Sequence, residues 1–110
     1  MVKQGDIIKI NFNPQAGHEQ AGYRPAVVVS NNFFNKKTNL TLVCPITNNV
    51  SDFPLHVKLD ERTITTGIVL CEHLKALDIN KRTYKIIESL PVDILEKIID
   101  IIFAEIEIED

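Results

Sequence analysis

Apolar residues recur at every second position through most of this chain and then, near residue 90, change to the spacing of a helix. Ile8, Ile10 and Phe12 alternate with Lys9 and Asn11, which is the period of a half-buried strand across Gly5–Phe12. β-branched or apolar runs at 26–30 (AVVVS), 40–46 (LTLVCPI), 55–59 (LHVKL) and 67–71 (GIVLC) predict further strands, with shorter ones at 74–78 and 84–87. Glycine, proline and polar side chains at 13–23 predict a long loop, and the Asn- and Lys-rich stretch between the second and third strands reads as a turn. From Ser89 or Pro91 onward, Ile94, Leu95, Ile98, Ile99, Ile101, Ile102, Phe103 and Ile106 cover roughly 200° of a helical wheel. That arc is wider than packing on one surface requires, and either the domain itself or a second subunit is available to fill it. Short strands without βαβ alternation, closed by one helix, define a mainly β fold with helices: a small curled sheet or barrel.

A chain of 110 residues, 45% of them hydrophobic, is long enough for one core and too short for two ordinary domains, so residues 1–110 are expected to form a single domain. It has no run of eighteen apolar residues, and its opening MVKQGDIIKI alternates apolar with polar side chains, so a cytoplasmic protein without a membrane partner is expected. Cys44 and Cys71 both lie in apolar runs outside any zinc-type spacing and are expected as buried free thiols. The net charge of −3 hides a division: residues 1–85 carry eleven Lys/Arg against seven Asp/Glu, and residues 86–110 carry one Lys against eight acids. The strand-rich body is therefore basic and able to meet phosphates, while the acidity belongs to the terminal helix and tail.

The long loop ends in GHEQAGYRP at 17–25 and runs directly into AVVVS, and the third strand ends in CPIT at 44–47. Together with GDIIKINFNP, FPLHV and GIVLCEHLKALD, in that order, these segments resemble the MazF/PemK-type toxins, mRNA-cleaving enzymes of toxin–antitoxin pairs. The resemblance spans roughly Gly5 to Leu90 and matches the terminal helix only in type. It implies an SH3-like barrel with helices, a homodimer, and cleavage of single-stranded RNA at short motifs without a metal or other cofactor. It also implies a cognate antitoxin as partner, expected on the basic barrel face. Position by position, Arg24 corresponds to the family's catalytic arginine, Thr47 to its catalytic threonine and Glu19 to an acidic loop residue implicated in activity. Gln20 and Ser30 fall in the same region, His18 lies in the active loop, and Glu72, His73 and Lys75 fall where the family contacts bases. Where the family often has Glu-Gln followed by an aliphatic residue and a base, this chain has Glu72, His73, Leu74 and Lys75, so His73 departs from the glutamine, which bears on the target sequence.

The chemistry supports those roles on separate grounds. Cutting RNA without a metal uses the substrate's own 2′-hydroxyl as nucleophile and needs donors for the charge that develops on the phosphorane oxygens. A guanidinium is planar, permanently charged and rich in donors, which suits Arg24 to that charge and makes it a poor base. Thr47 supplies a hydroxyl donor, and the 2′-hydroxyl proton goes either to water or to another group, with Glu19 five residues from Arg24 on the loop. Taken without the resemblance, Arg24 reads as a surface charge paired with Glu19, and Thr47 as the cap of a turn before Asn48 and Asn49. His18, His56 and His73 are scattered, and Phe33 and Phe34 read as core before they read as base-stacking platforms, as Tyr23 also can. Two rival functions share the architecture. A gyrase-binding toxin depends on a tryptophan-containing C terminus, and this chain has no Trp. An RNA-binding barrel without nuclease activity is disfavoured by Glu19, Arg24 and Thr47 occurring together.

Overall fold

The computed structural model describes residues 1–14, 17, 21–49 and 53–110. Seven strands form one antiparallel sheet: β1 (Asp6–Asn11), β2 (Tyr23–Val28), β3 (Thr41–Thr47), β4 (His56–Lys58), β5 (Ile68–Leu70), β6 (Lys75–Leu77) and β7 (Tyr84–Ser89). Their order is β4-β5-β3-β2-β1-β7, with β6 also paired to β3. The expected mainly β fold with a C-terminal helix is present, as a curled and partly open barrel.

The β-branched run of β2 is continuous because both of its faces are covered. Val27 and Val29 join Ile7, Cys44, Ile46, Val57 and Val69 in one core, closed by Ile94 and Ile98 of α2 (Val92–Ile106). Ala26 and Val28 point the opposite way, into a second core with Ile8, Ile10, Phe12, Val43 and Leu77. Each Val or Ile buried in this way contributes roughly 1.5–3 kcal/mol. Strands sealed on both sides cannot slip by one residue without exchanging two complete sets of side chains, so the register is firmly specified.

The stretch expected as an Asn-rich turn is a short helix, α1 (Asn32–Thr38). Asn31 caps it by accepting from the Phe34 N–H, and Asn39 ends it in the left-handed region at φ 59°. Asparagine signals turns and helix caps alike, so its presence did not distinguish them. Phe33 was expected in the core and instead stands 71% exposed on this helix. The domain also fills only part of the wide apolar arc of α2: Ile94 and Ile98 are buried, while Phe103 and Ile106 are exposed.

The segment between β4 and β5 is fastened from two sides. Arg62 donates through Nη1 and Nη2 to both carboxylate oxygens of Asp93, at 2.9 Å each, and through Nε to Asp60. Glu88 of β7 accepts from the backbone N–H groups of Ile64 and Thr65 and from the Thr65 hydroxyl. Partial burial pushes the Glu88 carboxyl up, but these three bonds outweigh it and leave its pKa below the ordinary value. Hydrogen bonds from Arg62 hold Asp60 and Asp93 low as well. Because all three carboxyls are depressed in the folded state, their stabilisation is complete above an ordinary carboxylate pKa of about 4. It is lost as the pH falls through the lower folded values. Glu88→Gln is therefore expected to flatten the loss of stability below about pH 4, as read by urea unfolding at a series of pH values.

Candidate active site

Arg24 and Thr47 come together through the register of β2 and β3. Ala26 pairs with Pro45, Val27 with Cys44 and Val28 with Val43, and the same register carried two residues further sets Arg24 opposite Thr47. Opposed residues project from one face, so the guanidinium and the hydroxyl belong to the same face of the sheet, beyond the last paired residues. The ladder itself stops at Ala26 and Pro45. Val29 donates its N–H to the Leu42 carbonyl, which fixes the phase of the ladder and turns position 25 toward β3. Pro25 has no N–H to give there, in keeping with a ladder that goes no further. Proline also holds the preceding Arg24 in extended backbone.

Arg24 is exposed, and its Nε donates to the Ala21 carbonyl at 2.8 Å. That bond orients the guanidinium, whose Nη1 and Nη2 have no partner among the described residues. Thr47 is only 7% exposed, and its Oγ1 accepts from the Asn49 N–H at 3.2 Å. The hydroxyl thus does cap a turn, and its own hydrogen has no acceptor among the described residues. Gly67 braces Thr47 from behind. At φ +127°, a Cβ on Gly67 would stand 2.7 Å from the Thr47 carbonyl oxygen, so no larger residue fits without displacing Thr47. The glycine before GIVLC was visible in the sequence, but its close approach to Thr47 depends on a long-range pairing that the sequence does not display.

Glu72 and His73 lie in a 3₁₀ turn at Cys71–His73, and Lys75 lies on β6 opposite Val43. Val43 is four residues from Thr47, about 13 Å along β3, which sets the backbone at Lys75 apart from the Thr47 end of the strand. Glu72 is fixed by His56, whose Nε2 stands 2.8 Å from its Oε2. The sequence placed His56 among scattered histidines, since the pairing of β4 with β5 is what brings it to Glu72. Burial, and then the charge of Glu72, push the Glu105 carboxyl of α2 above its ordinary value. Ser30 stands at the other end of β2, about 20 Å from Arg24. Its hydroxyl donates to Asn35 and accepts from the Leu42 N–H, so it is engaged in joining α1 to β3 and is not brought to Arg24. His18, Glu19 and Gln20 lie outside the described residues. The ring of Tyr23 carries the Lys9 ammonium 5.0 Å from its centroid.

Cys44 and Cys71 are buried and free, as expected. Burial, then Cys71, pushes the Cys44 thiol far above its ordinary value; burial, then Glu105 and Glu72, pushes Cys71 up to about 12. Both stay protonated near neutral pH and are poor nucleophiles. No helix among the described residues is long and apolar enough to cross a membrane.

An open antiparallel barrel carrying a guanidinium and a hydroxyl on one face at its strand ends, with a basic body and an acidic terminal helix, defines a small barrel suited to an anionic ligand. Residues 3–103 match the PemK-like, MazF-like toxin of type II toxin–antitoxin systems, and the chain belongs to that family. It is 34% identical over 102 residues to the endoribonuclease PemK of Escherichia coli, covering 89% of this chain and 77% of that protein. Its fold matches crystalline MazF from Deinococcus radiodurans with a TM-score of 0.90 at 33% identity, covering 97% of each chain. The MazE–MazF complex from the same organism matches with a TM-score of 0.84 at 32% identity, covering 98% of this chain and 97% of that one.

Proposed function

We propose that this protein is a cytoplasmic endoribonuclease toxin that cleaves single-stranded RNA at short sequence motifs, without a metal, through attack by the substrate's 2′-hydroxyl. The reading is supported by the register of β2 and β3, which puts Arg24 and Thr47 on one face beyond its last pair, in a chain related to a named endoribonuclease. In the reaction, the 2′-oxygen forms a bond to phosphorus as the bond to the 5′-oxygen breaks. The 2′-hydroxyl proton passes to a base, for which Glu19 is our assignment, and the departing 5′-oxygen takes up a proton. The Arg24 guanidinium offsets the negative charge on the phosphorane, and the Thr47 hydroxyl donates to a non-bridging oxygen. His18 and Gln20 are assigned to the strand near the cut, and Glu72, His73 and Lys75 to its bases.

The acting species is a homodimer, a reading supported by the exposed Phe103 and Ile106 of α2, which a second subunit would cover. Control comes from a cognate antitoxin. An acidic segment of it lies over the basic barrel face and competes with RNA for Arg24 and Lys75, a placement supported by the charge division along the chain and by the MazE–MazF likeness.

The test is direct. Purified protein incubated with a long RNA in EDTA is expected to give discrete fragments whose new 5′ ends, mapped by sequencing, share one short motif. Cleavage that appears only when a divalent metal is added would overturn the metal-free mechanism, and an intact RNA would overturn the nuclease itself.

A further inference from the structure

Beside the Thr47 end of the sheet lies an open cavity of about 400 Å³, lined by Phe53, Pro54, His56, Lys58 and Ile68. Register joins it to the candidate active site: Lys58 pairs with Ile68 and Ile68 with Thr47, so all three project from the same face. With strands about 4.8 Å apart, the backbone at Lys58 stands about 10 Å from that at Thr47, on the side away from Arg24. Phe53 keeps 50% of its surface exposed. Its ring centroid lies 5.1 Å from that of His56, with the planes inclined at 54°. His56 is in turn tied to Glu72 at 2.8 Å, so the phenyl ring is buttressed on one side by a fixed imidazole and stays open on the other.

A half-exposed aromatic ring next to an exposed lysine, in line with a phosphate-directed arginine and threonine, combines the two elements that hold single strands: a stacking surface and a backbone cation. We propose that this cavity is a nucleotide subsite flanking the cleaved bond, in which one base stacks on Phe53 and its phosphate meets Lys58. The inference rests on the nuclease reading above. A phenyl ring has no hydrogen bond with which to tell bases apart, so the subsite adds grip and leaves choice of motif to polar groups elsewhere.

The test uses the full chain and two readouts: steady-state cleavage of a long RNA in EDTA, and binding of a fluorescein-labelled single-stranded DNA, which lacks the 2′-hydroxyl and is not cut. Phe53→Ala is expected to raise KM and weaken DNA binding roughly tenfold while kcat stays within about twofold, and Phe53→Trp to restore both. Lys58→Gln is expected to lower the slope of log affinity against log salt by about 0.7, the share of one phosphate on a single strand. If Phe53→Ala, folded by circular dichroism, binds and cleaves as the wild type does, or if Lys58→Gln leaves the salt slope intact, the subsite is refuted while the nuclease stands. A wild-type protein that cuts no RNA removes the nuclease reading, and the subsite, defined by the cleaved bond, goes with it.

Discussion

An RNA substrate in which only the nucleotide preceding the cut carries hydrogen in place of its 2′-hydroxyl is expected to resist the enzyme entirely, whereas the same change one nucleotide away is expected to leave cutting in place. The nucleophile in the proposed mechanism is that single oxygen, and Arg24 and Thr47 are donors that cannot replace it. The products follow from the same bond changes: a 2′,3′-cyclic phosphate on the upstream fragment and a 5′-hydroxyl on the downstream one. Mass spectrometry of the fragments reads both ends. A 5′-phosphate on the downstream fragment, or cleavage that persists on the singly deoxy substrate, would mean that water attacks and that the assignment of the nucleophile is wrong.

Arg24→Ala is expected to lower the single-turnover rate at least about a hundredfold while leaving circular dichroism and thermal unfolding unchanged. Removing one donor aimed at charge that develops in the transition state costs roughly 2.7–4 kcal/mol, which corresponds to a factor of about 10² to 10³ in rate. Stability is spared because Arg24 is exposed and its one bond among the described residues, from Nε to the Ala21 carbonyl, lies at the surface. Arg24→Lys is expected to recover little, since an ammonium cannot reproduce the planar fork. A variant within a fewfold of the wild-type rate would return Arg24 to an ordinary surface charge.

Much of the fold could be read in the chain because each strand announces itself locally. Alternation marked β1, β-branched residues marked β2 and β3, and the change of period marked α2. The boundaries moved where strand pairing, not composition, decides them: β2 begins at Tyr23, paired with Asn11 of β1, instead of residue 26, so that Arg24 belongs to the sheet and not to the loop. α1 was concealed by asparagines that serve as caps. The site was legible in a narrower sense. Arg24 and Thr47 stood out through the resemblance, and nothing in their spacing of twenty-three residues told that they face each other, because register is a property of two strands at once. Gly67 behind Thr47, His56 on Glu72 and the open ring of Phe53 are likewise products of long-range pairing. Ser30 shows the reverse: a residue near the motif in sequence that the strand carries to its far end.

One imino acid stands where the pairing of β2 with β3 stops, while β2 runs on beside β1 and β3 beside β5. Position 25 faces the carbonyl of Ile46, and any residue with an N–H there would let β2 and β3 zip one pair further. A bond there would tie the backbone beside Arg24 to the backbone beside Thr47. Pro25 leaves that bond unmade by lacking a single hydrogen atom, so the reach of this ladder is written into the backbone itself and not into the side chains around it.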